Sequence, residues 1–317
     1  MNRTFRLSHK SSVLCVILCW LLGSVATTQA QTPGPDYAES VAIGAMSEDG
    51  EFELSLRLAR FPARSGGSVW LHLAVAGQAY SLVDESVNLG VTPAVTPVQA
   101  DTARFSAGTT TDLWFQTRAR QSTAMQGEVS ARLKVLAERH PEAGSGTIPV
   151  EVELQFVANQ LGARLNNDRR WELFGRVTGQ VTVNGTTHAV DLPGKWHEQT
   201  GDRASFAPAF TYLNVQGPGF GMLAIGYTDR ATGFVARESG NTAVTAMRID
   251  PPGVAPRTFT VTLASGEVIT GAARTVQNWS VPIEGQRRPG AGVVVDSNQG
   301  QLVGSLNDWN PDGPNKL

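Results

Sequence analysis

Apolar and polar residues alternate at every second position in short runs along almost the whole chain, and this leaves little choice of fold. Phe52, Leu54, Leu56 and Leu58 alternate with Glu53, Ser55, Arg57 and Ala59, the pattern of a strand with one face in a core and one mostly wet. Val69, Leu71, Leu73 and Val75 repeat it against Trp70, His72 and Ala74, as do Val129, Ala131, Leu133 and Val135 further on. Val150, Val152, Leu154 and Phe156 alternate with Glu151, Glu153 and Gln155. Asn184-Gly185, between Val181–Val183 and Thr186–Val190, signals a two-residue hairpin, because both positions of a type I′ turn need φ > 0. Ser265-Gly266 signals a second tight hairpin. Helical stripes are nearly absent, and only Ser130–Arg139 reads either way. On the order of ten or more short strands between Gly, Pro, Asn and Asp turns predict an all-β protein of barrels or sandwiches.

The N-terminus reads as a leader. Arg3, Arg6 and Lys10 precede an apolar run from Ser12 to Val25, and Thr28-Gln29-Ala30 supplies small residues for cleavage before Gln31. The run falls short of the roughly 20 residues that a membrane span needs. Export to the periplasm or the extracellular space is therefore the expectation, with no stable span in the mature chain. Cys15 and Cys19 both lie in the leader, which removes disulfides, thiol nucleophiles and cysteine metal ligands from the mature protein. Losing three basic and no acidic residues takes the formal net charge from −2 to −5. That mild acidity argues against nucleic acid or anionic lipid headgroups as partners.

Two domains are expected after the leader at 1–30. The polar, Asn-rich stretch Val157–Arg170 lacks sustained alternation and suggests a boundary, giving domains at 31–160 and 161–317. Each would hold roughly 120 ordered residues, a comfortable size for one β-domain. Gly144–Gly146 is a rival boundary that looks more like a hairpin loop. The densest polar chemistry lies in Gly194–Arg203 (GKWHEQTGDR), where Trp196, His197, Glu198 and Arg203 fall within ten positions.

Ser47–Ala63 (SEDGEFELSLRLARFPA), followed by a strand with Trp70 and Leu71, resembles the opening of the AttH-like proteins. That superfamily of tandem lipocalin-like domains includes carotenoid 1,2-hydratase and several isomerases and cyclases of apolar natural products. The resemblance implies two tandem lipocalin-like barrel or sandwich domains, with a Gly-rich, His-containing segment opening the second domain's binding region. It also implies acid-catalysed addition of water to an alkene, with aromatic faces stabilising a cation. The family's catalytic His then corresponds to His197, and its Tyr-x-Asp pair to Tyr227 and Asp229. Alternation puts Leu223, Ile225, Tyr227 and Asp229 on one face of a strand. The pattern departs at one place: the hydratase has Trp just after the His, where this chain has Glu198-Gln199 and its Trp before, at Trp196.

Bland readings stand beside these. His197 could be a strand-end histidine on a backbone carbonyl, and Asp229–Gly233 an ordinary turn. Trp70, Trp114, Trp171 and Trp279 read as core or lining, His72 as surface or support, and His188 as structural. No HxH or HExxH spacing suggests a metal, no GxSxG elbow suggests a serine hydrolase, and no cofactor is implied. Two functions remain. One is an exported protein that binds an apolar, lipid- or isoprenoid-like molecule, with Trp196, Arg203 and Tyr212 as ligand contacts. The other is a hydratase or isomerase in which His197, Glu198, Tyr227 and Asp229 handle protons. A carbohydrate-binding sandwich, with Asn307–Asn315 as its loop, is a third possibility. The enzyme reading requires His197 within hydrogen-bond reach of Tyr227 or Asp229 on a cavity wall.

Overall fold

The computed structural model describes residues 34–35, 37–64, 66–88, 96–99, 102–106, 112–120, 126–140, 146–159, 162–165, 170–202, 209–283 and 286–310. The leader, its cleavage site and Arg203 lie outside them. Among the described residues the only helix is a 3₁₀ turn at Pro62–Arg64, and no helix is long and apolar enough to cross a membrane.

Twelve strands form the first sheet. They are β1 (Tyr37–Met46), β2 (Glu53–Phe61), β3 (Gly66–Val75), β4 (Gln78–Asn88), β5 (Thr96–Gln99), β6 (Thr102–Ser106), β7 (Asp112–Arg120), β8 (Gln126–His140), β9 (Thr147–Ala158), β10 (Ala163–Leu165), β11 (Arg170–Val183) and β12 (Thr186–Asp202). Their spatial order is β10-β11-β12-β1-β2-β3-β4-β8-β7-β6-β5, and β9 pairs with both β8 and β11, so the sheet curls back on itself. Ser130–Arg139 falls in β8 and is a strand. The remaining eight strands close a barrel in sequence order. They are β13 (Phe210–Gly217), β14 (Phe220–Tyr227), β15 (Ala231–Arg237), β16 (Gly240–Ile249), β17 (Arg257–Leu263), β18 (Val268–Ile283), β19 (Gln286–Ser297) and β20 (Gly300–Trp309). The molecule is all-β, a curled sheet followed by a closed barrel, as tandem lipocalin-like domains require.

The alternation works as the sequence implies. Ile43, Leu54, Leu56, Leu71 and Leu73 point into the curl of the first sheet and are fully or almost fully buried. Leu213, Val215, Met222, Val261 and Val293 fill the barrel. A third cluster joins the two bodies: Phe174 of the first sheet packs on Leu223, Ile225 and Phe234 of the barrel, with the Phe174 and Phe234 rings 5.8 Å apart.

The change of sheet falls elsewhere than the sequence suggests. In the polar stretch Val157–Arg170, Val157 and Ala158 end β9, Ala163–Leu165 form β10 and Arg170 opens β11, all strands of the first sheet, and the switch comes between Asp202 and Phe210. The reason is hydrophobic. Leu173, Val177, Val181, Val190 and Trp196, on β11 and β12, are buried in the first core, so the Asn-Gly hairpin completes the curl. Gly194–Asp202 therefore closes the first sheet.

Val183 pairs with Thr186 across that hairpin, with Asn184 at φ 49° and Gly185 at φ 81°, the left-handed geometry of a type I′ turn. A side chain at Gly185 would meet no neighbour within 4 Å, so only the backbone term opposes it. Gly185→Ala should cost about 1 kcal/mol in a denaturant titration, with the unfolding slope unchanged.

Candidate functional site

The sheet and the barrel enclose a cavity of about 350 Å³ between their outer faces. Register explains why it is there. On the outer face of the first sheet, one row across the strands runs Glu172, His197, Ala42, Arg57, Trp70. The next row runs Phe174, Lys195, Gly44, Ser55, His72. β1 thus presents only Ala42 and Gly44 between the long side chains of β12 and β2, and a trough opens over it. β13 forms part of the roof. Leu213 and Val215 face the barrel core, so Tyr212, Asn214 and Gln216 face the trough.

Hydrogen bonds on the β12 wall converge on one carboxylate. Glu172 is 1 % exposed. Its Oε1 accepts from Arg170 Nη2 at 2.6 Å and Nε at 2.9 Å, from His197 Nδ1 at 2.8 Å and, at longer range, from Tyr212 Oη at 3.4 Å. Lys195 Nζ donates to Tyr212 Oη at 2.9 Å. On the other side, Ser40 Oγ lies 3.3 Å from His197 Nε2 and accepts from Arg57 Nη2 at 3.1 Å. The donor chain fixes the tautomer: Nδ1 carries the hydrogen toward Glu172, and Nε2 accepts from the Ser40 hydroxyl.

Burial pushes His197 down to about 3, Arg170 and Arg57 push the same way, and Glu172 opposes them. The imidazole is neutral near pH 7. Burial also opposes ionisation of Glu172, but His197 and Arg170 on its oxygen outweigh it and hold the carboxyl well below the usual range.

At the other end of the trough stands a second carboxylate. Glu53 of β2 accepts from Trp279 Nε1 of the barrel at 3.1 Å, and His72 Nε2 lies 3.5 Å from its Oε2. The close approach depends on Gly292, where a Cβ would sit 2.2 Å from Glu53 Oε2.

No protein-family model and no curated protein matches the sequence. Solved structures do match. A protein assigned as an AttH from Nitrosomonas europaea superposes with a TM-score of 0.55 at 11 % identity, over 86 % of this chain and 91 % of that one. CghA superposes with a TM-score of 0.51 at 13 % identity, over 87 % of this chain and 88 % of its own. CghA crystallised with Sch210972 gives a TM-score of 0.50 at 12 % identity, over 87 % and 89 %. The chain has the AttH-like fold.

Within that fold the predicted site residues separate. His197 and Tyr212 share the Glu172 network on the cavity wall. Tyr227 also lines the cavity, its ring 5.9 Å from Phe210 and under the Arg230 guanidinium at 4.5 Å. His197 bonds to neither Tyr227 nor Asp229, so the expected relay through those two residues does not form; its partners among the described residues are Glu172 and Ser40, and any proton transfer here runs through Glu172 instead. Asp229 is exposed, because the strand ends at Tyr227 and the chain turns, and it pairs with Arg230 at 3.3 Å. Trp196 and Glu198 alternate to the other face of β12. Trp196 is fully buried in the first core between Phe156 and Trp171, and does not line the cavity. Glu198 stands opposite Trp171 in register, also away from the cavity lining. Among the described residues no cluster of His, Cys, Asp and Glu could hold a metal ion.

Sequence reading missed Glu172, Arg170, Ser40, Arg57 and Lys195. The signal for Glu172 was present: Arg170 and Glu172 alternate with Trp171 and Leu173, so β11 begins inside the segment read as a linker. Lys195 lies two positions before His197 and therefore on its face.

Two tests follow from the network. Glu172→Leu strands Arg170 without its carboxylate and should cost about 3–5 kcal/mol, whereas adding Arg170→Met should recover much of that loss, both read from chemical denaturation. The second concerns acid. His197 titrates near its ordinary value only once unfolded, so the unfolded chain takes up that proton first as pH falls. Stability should therefore decline from about pH 6.5 towards about 3, and the lowered Glu172 adds a loss of the same sign at lower pH. Thermal melts of His197→Gln should show a flatter decline in the upper part of that window.

Proposed function

We propose that the protein is an enzyme of the lyase or isomerase type, hydration included, that transfers protons on a largely apolar small molecule held between its two β-domains. The observation that carries this reading is His197: a buried, neutral imidazole on a cavity wall, with its Nδ1–H fixed by an ionised carboxylate. The carboxylate-bound Nδ1–H orients Nε2 towards the cavity as a general base requires, and a bound substrate or water has to offset the burial that lowers its basicity. Nε2 can accept a proton from substrate or from an attacking water once the long contact to Ser40 Oγ gives way. Glu172 then stabilises the imidazolium that forms, and the same proton can return to another atom of the substrate. Returned without water, it completes an isomerisation; with water added or lost, a hydration or dehydration. The Tyr227 hydroxyl lies in the same cavity as a donor to a developing oxyanion, and the Tyr212 hydroxyl, which accepts from Lys195, becomes a second donor when it gives up its 3.4 Å contact to Glu172.

Met46, Ile225, Val303 and Trp279 supply the apolar part of the lining, which favours a hydrocarbon-rich substrate. The leader supports export as the setting of this activity, with the mature chain folding into the two bodies described. Binding without turnover is the competing reading, and one experiment separates them. Purified protein is incubated with a small-molecule extract of its native cells, and the mixture is compared by mass spectrometry with a His197→Gln control. Wild type should convert at least one compound into an isomer or into a product differing by one water. His197→Gln should retain that compound unchanged. Retention without conversion by both proteins would leave a binding protein, and equal conversion by both would remove His197 from the chemistry.

A further inference from the structure

The charges around the cavity say more about the molecule it takes, provided the cavity is the ligand site proposed above. Among the described residues Arg57, Arg170, Lys195 and Arg230 line it, against a single lining carboxylate, Glu53. Arg170 is paired with Glu172, and the exposed Arg230 with Asp229. Glu53 lies two rows along the sheet from His197, on the order of 15 Å away, where Trp279 and His72 hold it.

Lys195 differs from these. Its Nζ donates to a neutral hydroxyl, Tyr212 Oη, and lies 4.7 Å over the same ring. It makes no direct ion pair with a carboxylate among the described residues, although its charge helps to hold Glu172 ionised from a longer distance. An ammonium has three N–H donors, so two stay available. Arg57 stands on the facing wall, where it donates to Ser40 and lies over Trp70 at 4.9 Å. Register sets Lys195 opposite Gly44 and Arg57 opposite Ala42, so β1 itself contributes nothing larger than a methyl group to the floor, and the Lys195 stem leans over Gly44, 3.5 Å from where a Cβ would sit. On the barrel side the cavity is lined by Asn214, 4 % exposed, whose Nδ2 has no hydrogen-bond partner among the described residues. A buried amide donor without a partner is costly, and here it faces the same cavity.

We propose that the ligand is an organic anion, and that its carboxylate or other delocalised oxyanion seats over Ala42 and Gly44, between Lys195 and Arg57 and with Asn214 Nδ2 on the barrel side. Charge-assisted bonds in a partly desolvated cavity are stronger than their surface equivalents. The apolar body of the ligand then runs towards Met46, Val303 and Trp279. His197 lies one row from Lys195, about 6.6 Å along the strand, so the atoms a few bonds from the anionic group are those brought to the imidazole.

A pair of dyes differing by one group tests this. 1-Anilinonaphthalene-8-sulfonate carries an oxyanion, and N-phenyl-1-naphthylamine is the same skeleton without it. Fluorescence titration should give roughly tenfold or tighter binding of the sulfonate. Lys195→Met should reduce that preference severalfold, Lys195→Arg should keep it, and Gly44→Phe should exclude both dyes by filling the trough. Melting curves check that each variant is folded, and the charge-retaining Lys195→Arg controls for local disruption. Equal or tighter binding of the neutral dye, or a preference that survives Lys195→Met, overturns the anion assignment. If Gly44→Phe still excludes both dyes in that case, the cavity remains a ligand site and only its charge preference falls. Failure of both dyes to bind, or their indifference to Gly44→Phe, counts against the cavity itself and so against both readings.

Discussion

A carboxylate buried between two β-layers stays ionised only if donors surround it, and the interface of this protein is arranged around that requirement at Glu172. Arg170 supplies two bonds from the same strand, His197 one from the next, and Tyr212 a longer one from the barrel. Once Glu172 is an anion, the His197 tautomer follows, Nε2 is left as an acceptor, and Ser40 and Arg57 fall into line on its far side. Removing the carboxylate would disturb a chain of donors that crosses β11, β12, β1 and β2. Because Tyr212 comes from the barrel, the same network also links the two bodies.

The cavity has an equally simple origin. Strands β1, β2, β3, β9, β11 and β12 serve two faces, and their core face is filled with Leu, Ile, Val, Phe and Trp. The outer face needs no such filling, and in the middle of β1, between Ser40 and Met46, it carries only Ala42 and Gly44. Neighbouring strands carry long polar side chains, so small residues in the middle produce a trough without any break in hydrogen bonding between strands. The barrel roofs it. Phe174 with Phe234 at one side and Glu53 with Trp279 at another hold the roof in place.

Much of this was legible in the sequence. The alternation in β2, β3 and β9, the Asn184-Gly185 turn and the all-β class could be read because a strand's period is local. His197 was picked out in the densest polar segment and Tyr212 as a ligand contact, and both lie on the cavity wall. Trp196 and Glu198 were grouped with His197 by sequence proximity, but consecutive residues of a strand face opposite ways, and both went to the other side. Asp229 was carried along the alternation of β14, which stops at Tyr227. Glu172 was overlooked because its short run of alternation follows a polar, Asn-rich stretch that looks like a linker.

The sequence by itself determined the strand period, the tight turns and which side chains of a strand face a core, because each depends on residues a few positions apart. Only the tertiary structure decided that β11 and β12 complete the first sheet and that the barrel begins after Asp202. It alone brought Glu172, His197, Ser40, Arg57 and Tyr212 together. Their pairing depends on strand order and register between segments far apart in the chain, and no local pattern encodes which strand will lie beside which.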